Sequence, residues 1–126
     1  MVDLHVHSTF SDGCDSPSEL VDAAISLGIK ALALTDHDTI DGVRDAVKRG
    51  DEIGVKVLRG VELSTYDLDE EFHILGYGME LSQKFADGLK YARNLRNHRN
   101  NEIFAKLREF GFKLYEKEIF DGPGVK

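Results

Sequence analysis

Two histidines two residues apart, His5 and His7, open a sequence of 126 residues. In extended chain, alternation puts both imidazoles on one side, where they can bind one ion. Asp12 follows in the next polar stretch, and His37 sits in Thr35-Asp36-His37-Asp38-Thr39. Glu62 lies in Gly60-Val61-Glu62-Leu63-Ser64 and His73 in His73-Ile74-Leu75-Gly76-Tyr77. Mixed imidazole and carboxylate donors suit Zn, Mn or Fe better than Ca or Cu(I), with Mg admissible. The set exceeds what one tetrahedral ion needs. Two to three divalent ions are therefore expected, with a carboxylate such as Glu62 bridging. Such a cluster activates water at neutral pH and clamps the attacking and leaving oxygens of a phosphoryl group. Any one of these histidines alone is more often a polar strand end; their joint placement carries the reading. Asp36 is a candidate acceptor that orients an imidazole from outside the ligand set. Asp38 is expected to cap the helix that follows. Ser8 and Ser11 are expected to bond within their loop rather than act as nucleophiles.

The elements that must position these residues alternate between strand and helix. Val2 to His5 reads as a short strand, and Ala31 to Thr35 as a continuous apolar strand buried on both faces. Val55 to Leu63 and Glu71 to Tyr77 read as the third and fourth strands. Ser16-Pro17-Ser18-Glu19 is a capping box with proline at the first helical position, and Gly28 closes that helix. A second helix is expected from about Thr39 to Ile53, ended by Gly54. The order strand–helix–strand–helix–strand predicts an α/β fold with a parallel sheet of about four strands. Its C-terminal edge is where such folds build their sites.

From Ser82 to Phe110 the period becomes helical, with Phe85, Leu89, Ala92, Leu95, Ile103, Leu107 and Phe110 on one face. Arg96 and Arg99 fall within that face, and each is a candidate either for the phosphate of a substrate or for a salt bridge to a body carboxylate. Arg93, His98 and Arg108 are expected at its edge or back, in solvent. The net charge is −7, which disfavours a general nucleic-acid coat, yet this helix is basic. No apolar stretch is long enough for a membrane span, no secretory signal is evident, and Cys14 is the only cysteine. A cytoplasmic location is expected.

Asp3-Leu4-His5-Val6-His7-Ser8, Ser11-Asp12-Gly13, the Thr35 to Thr39 block with Gly42, Gly60 to Ser64 and His73 to Tyr77 resemble the PHP (polymerase and histidinol phosphatase) family. The closest branch is similar to the stand-alone phosphoesterases acting on nucleotides and short RNA. The resemblance implies the N-terminal part of a distorted (β/α)7 TIM-like barrel over residues 1–78, then the start of a helical insertion or lid over residues 79–126. It implies His5, His7, Asp12, His37, Glu62 and His73 as ligands of a divalent-metal cluster. The reaction it implies is hydrolysis of a phosphate ester, in a nucleotide 3′,5′-bisphosphate or a short RNA, by water activated on the metals. A small-metabolite phosphatase of the histidinol-phosphate type and a non-catalytic metal-binding protein are the alternatives. The family's later ligands, a late His and an Asp-x-His motif, have no counterpart in these residues. The expectation is a truncated chain or one completed by a partner chain.

Overall fold

The structure is a computed structural model, and it describes residues 1–67 and 70–114. The apolar positions Tyr115, Ile119 and Phe120, the residues Gly122-Pro123-Gly124 and the remainder of the expected insertion past residue 114 fall outside them. Seven elements follow in chain order: β1 (Val2–Val6), α1 (Pro17–Ser26), β2 (Ala31–Leu34), α2 (Val43–Ile53), β3 (Lys56–Asp67), β4 (Glu70–Tyr77) and α3 (Gln83–Glu109). They form an α/β fold on one four-stranded sheet of order β1-β2-β3-β4.

α1 begins as its sequence dictates. The Ser16 side chain accepts from Glu19 N–H, Glu19 returns to the Ser16 backbone, and Pro17 takes the first helical position. Gly28 follows the helix at φ +68, a conformation that costs glycine little. α1 packs on α2 and on β2, while α2 packs on β3. Val21, Ala24, Leu32, Leu34, Val43 and Ala46 form the centre of this layer and are buried.

Two expectations need correction. α2 starts at Val43, with Gly42 at its N-cap position and no side-chain cap, so Asp38 and Thr39 do not cap it. Residues 36–38 instead run alongside β3: His37 bridges to Glu62, Glu62 N–H donates to Asp36 O, and Asp38 N–H donates to Glu62 O. That pairing competes with a helical start and delays it. The second correction concerns direction. β1, β2 and β3 are parallel, but β4 runs antiparallel to β3, from Gly60↔Tyr77 to Asp67↔Glu70. Only residues 68–69 separate the two strands, too few for the crossover that a parallel pair needs.

The sheet curls strongly. β1 and β4 are its opposite edges, yet the Tyr77 hydroxyl donates to Leu4 O at 2.8 Å. This curl gathers residues from all four strands around one point. α3 lies across the mouth and buries Leu89, whereas Leu95, Ile103 and Phe110 on the expected apolar face are exposed. Among the described residues, no helix is long and apolar enough to cross a membrane.

Candidate metal centre

Glu62 is the hub. It points from β3 into the curl and is nearly buried. Its Oε2 lies 2.7 Å from His5 Nε2, 2.9 Å from His7 Nε2 and 3.8 Å from His37 Nε2. Its Oε1 lies 2.8 Å from His73 Nδ1. The geometry follows from strand physics. His5 and His7 share a side of the chain leaving β1, as alternation requires. His37 is held beside Glu62 by the bridge just past β2. In the β3–β4 ladder His73 stands opposite Ser64, on the same face as Glu62. Because β3 continues past the parallel part of the sheet, the start of an antiparallel β4 reaches the same edge as the ends of β1 and β2.

Asp12 closes the other side. Its Oδ1 is 2.9 Å from His7 Nδ1 and its Oδ2 is 3.7 Å from His37 Nε2. All six residues expected at the centre thus come together. Three overlapping triads place ligand atoms within 4.8 Å of one another: His5, His7 and Glu62; His7, Asp12 and His37; His37, Glu62 and His73. Neighbouring rings along the run His5, His7, His37 and His73 have centroids 4.7–4.9 Å apart.

The electrostatics favour a cation site. Burial pushes the His37 pKa down, against the pull of Glu62 and Asp12, so at neutral pH this imidazole is uncharged and has a lone pair to lend. Burial works against the ionised forms of Asp12 and Glu62, yet the histidines around them outweigh it. Both carboxyls sit below their usual range and are anionic. The buried Nδ1 of His37 has no hydrogen-bond partner, and its Nε2 stands too far from either carboxylate for a hydrogen bond. A ring left this short of partners beside two anions fits a position where a cation completes the contacts.

Asp36 holds the loop that carries Asp12 rather than touching an imidazole. It is buried and accepts from Ser8 N–H, Ser8 Oγ and Ser11 Oγ, each at 2.7 Å. Ser11 Oγ in turn lies 3.4 Å from His7 Nδ1 and 3.2 Å from Asp12 Oδ1. Both serines therefore work as expected, in loop hydrogen bonds. The loop folds back so closely that a Cβ on Gly13 would stand 2.2 Å from His7 O, so glycine alone fits there. Asp36→Ala should strand these buried donors and cost about 3 kcal/mol, measured by urea unfolding. A cost below about 1 kcal/mol would mean that the loop holds its shape without this carboxylate.

Sequence reasoning missed three neighbours of the centre. Glu71 lies 3.3 Å from His73 Nε2, the nitrogen turned away from Glu62, and its pKa is lowered chiefly by that contact. Asp38, at φ +50, accepts from Ser64 N–H and pairs with Arg96 at 2.9 Å. Arg93, expected in solvent, donates to Asp38 O at 2.6 Å. Arg96 also donates to Ser64 Oγ, while Arg99 bonds the Tyr66 hydroxyl and lies 4.9 Å over that ring. His98 is exposed, as expected, beside Glu102.

The chain resembles known proteins over most of its length. The PHP domain profile matches residues 3–117. The chain is 42% identical over 124 residues to a 5′-3′ exoribonuclease of Haemophilus influenzae, covering 95% of this chain and 45% of that protein. It is 37% identical over 111 residues to a 3′,5′-nucleoside bisphosphate phosphatase of Chromobacterium violaceum, covering 87% of this chain and 39% of that one. Among solved structures, an amidohydrolase from Chromobacterium violaceum with bound sulfate and no metal superposes with a TM-score of 0.81 at 36% identity, over 96% of this chain and 42% of the other. The chain thus spans less than half the length of the curated relatives it matches, and its strands correspond to part of a TIM-like barrel. With the family profile matched over nearly all of its residues, the chain belongs to the PHP domain family.

Proposed function

We propose that the protein is a metal-dependent phosphoesterase that hydrolyses a phosphate ester in a nucleotide 3′,5′-bisphosphate or at the end of a short RNA. One observation carries the reading: Glu62 presents one oxygen to His5 and His7 and the other to His73, the arrangement of a bridging carboxylate. His5, His7, Asp12, His37, Glu62 and His73 would hold the ions. A neutral imidazole has a single lone pair, so His7 and His37 each serve one ion. The triads His5-His7-Glu62 and His37-Glu62-His73 can then be filled together, with Asp12 adding to either, which supports two ions. Mn, Zn or Fe suits this donor set. When bound, such ions supply Lewis acidity to a phosphoryl oxygen and lower the pKa of water.

The chain's own residues do the remaining work. Asp36 fixes the Ser8 to Asp12 loop, and Glu71 orients His73. Arg99, at the cleft beside the centre, is the cation for substrate, because Arg96 already pairs with Asp38. The relatives named for nucleoside bisphosphates and RNA favour those substrates over histidinol phosphate. An exposed, free Cys14 suits a reducing, cytoplasmic setting.

The test is phosphate release from a nucleoside 3′,5′-bisphosphate by protein loaded with Mn²⁺. Turnover abolished by EDTA and restored by Mn²⁺, with histidinol phosphate spared, is the expected result. Metal bound tightly with no turnover of either ester would overturn the enzymatic reading in favour of a metal-binding protein.

A further inference from the structure

A cleft of about 690 Å³ opens between β3 and α3, lined by Ser64, Tyr66, Ala92, Leu95, Arg96 and Arg99, with Asp38 at its base. Asp38, which lines it, follows His37 of the metal centre directly in the chain. Strand alternation places Glu62, Ser64 and Tyr66 on one face of β3, so the hub of the centre and the cleft lie on one line. From Glu62 to Tyr66 that line is about 13 Å long at roughly 3.3 Å per residue, a span one nucleotide covers. The cleft is chemically mixed. Ala92 and Leu95 give it an apolar wall, and Tyr66 gives it an aromatic ring that is 50% exposed. Arg99 lies over that ring, near Glu71. Arg96, bound to Asp38 and Ser64, braces the floor.

We infer that this cleft is a nucleoside subsite, with Tyr66 as the stacking surface for a base and Arg99 as the cation for the phosphate that is not being hydrolysed. The inference rests on the proposed phosphoesterase reading and names which end of the substrate the cleft selects. A base stacks on tyrosine whatever its identity, so the subsite recognises nucleotides as a class and not one sequence. Arg99 is held at Tyr66 by its bond to the hydroxyl and its place over the ring, and its remaining N–H donors suit a phosphate, which arginine binds in bidentate fashion. Neither residue touches the six residues of the centre in the contacts described, so each can be altered without removing a metal ligand.

The test reads binding, not turnover. Mn²⁺-loaded protein is titrated calorimetrically with a non-hydrolysable phosphonate analogue of adenosine 3′,5′-bisphosphate and, separately, with inorganic phosphate. Tyr66→Leu should weaken the nucleotide analogue about 10-fold and leave inorganic phosphate unchanged, while Tyr66→Trp restores the affinity. Arg99→Ala should weaken the bisphosphate analogue more than the matching monophosphate analogue. Equal losses for nucleotide and inorganic phosphate in Tyr66→Leu, or no loss for either, would overturn the subsite. Wild-type protein that binds the analogue through Tyr66 but hydrolyses no bisphosphate would overturn the proposed function and leave the subsite standing.

Discussion

Replacing Glu62 by glutamine should weaken divalent-metal binding by at least about 100-fold and abolish any metal-dependent turnover. Removing groups that merely support ligands costs about 10- to 100-fold in metal affinity. Glu62 is proposed as a ligand, and it is the one residue shared by the two triads that can fill together. Glutamine keeps the shape of the side chain but removes the charge, and it turns an NH₂ toward imidazoles that must themselves give lone pairs. The two sites should therefore fail together. Calorimetric titration with Mn²⁺ and metal content after gel filtration both report this, and retention of two ions at wild-type affinity would remove Glu62 from the bridge. His73→Ala offers the contrast. It empties one triad only, so one ion should remain. Affinity should also fall on acidification in the wild type, because protons compete for the same imidazoles.

Strand geometry is what makes this centre legible in the sequence. An i, i+2 pair in extended chain has a fixed side, and a residue just past the end of a parallel strand has a fixed edge. His5, His7, His37 and Glu62 needed nothing more. His73 reaches the same point from an antiparallel strand and not from a parallel one. The apolar pattern of β3 ends at Leu63, whereas Ser64 to Asp67 continue the strand and pair with β4 residue by residue. A half-exposed antiparallel ladder has no continuous apolar run to announce it. The short interval from Leu63 to Glu71 is the signal in the sequence, since a parallel crossover needs about a dozen residues or more.

The face of α3 is less legible than the strands. Apolar residues up to Phe110 define one broad face in the sequence, yet among the described residues Leu89 is the position that α3 buries. Residues 93 and 96 follow Leu89 at i+4 and i+7, on the face that meets the body. That is why Arg93 reaches Asp38 instead of solvent. Periodicity reports a face but not how much of it finds a partner. Asp38 was misassigned because a short acidic residue before a helix is a good cap on local grounds. Its backbone was already committed to Glu62 O, a long-range bond that no local window contains.

Asp38→Ala should destabilise the protein by about 3 kcal/mol and loosen α3 from the mouth of the sheet. Asp38 is buried, and it ties β3 to α3 by three contacts: its backbone N–H donates to Glu62 O, its Oδ1 accepts from Ser64 N–H, and its Oδ2 pairs with Arg96 of α3. Removing one partner of such a pair leaves the other charge poorly compensated, which is the costly case. Alanine also sits badly at φ +50, whereas asparagine tolerates it. Asp38→Asn should therefore cost less than Asp38→Ala, keeping the backbone conformation and the Ser64 bond while losing the charge. Arg96→Ala should cost about 2 kcal/mol, less than Asp38→Ala, because the guanidinium is the more exposed partner. Urea unfolding of both singles and the double variant gives the coupling, expected at about 1–2 kcal/mol. Because Asp38 follows His37 directly, the same variants should weaken metal binding without removing a ligand, an effect that a surface ion pair would not produce. Strictly additive costs with unchanged metal affinity would reduce the Asp38–Arg96 contact to a local salt bridge and leave α3 free to move independently of the centre.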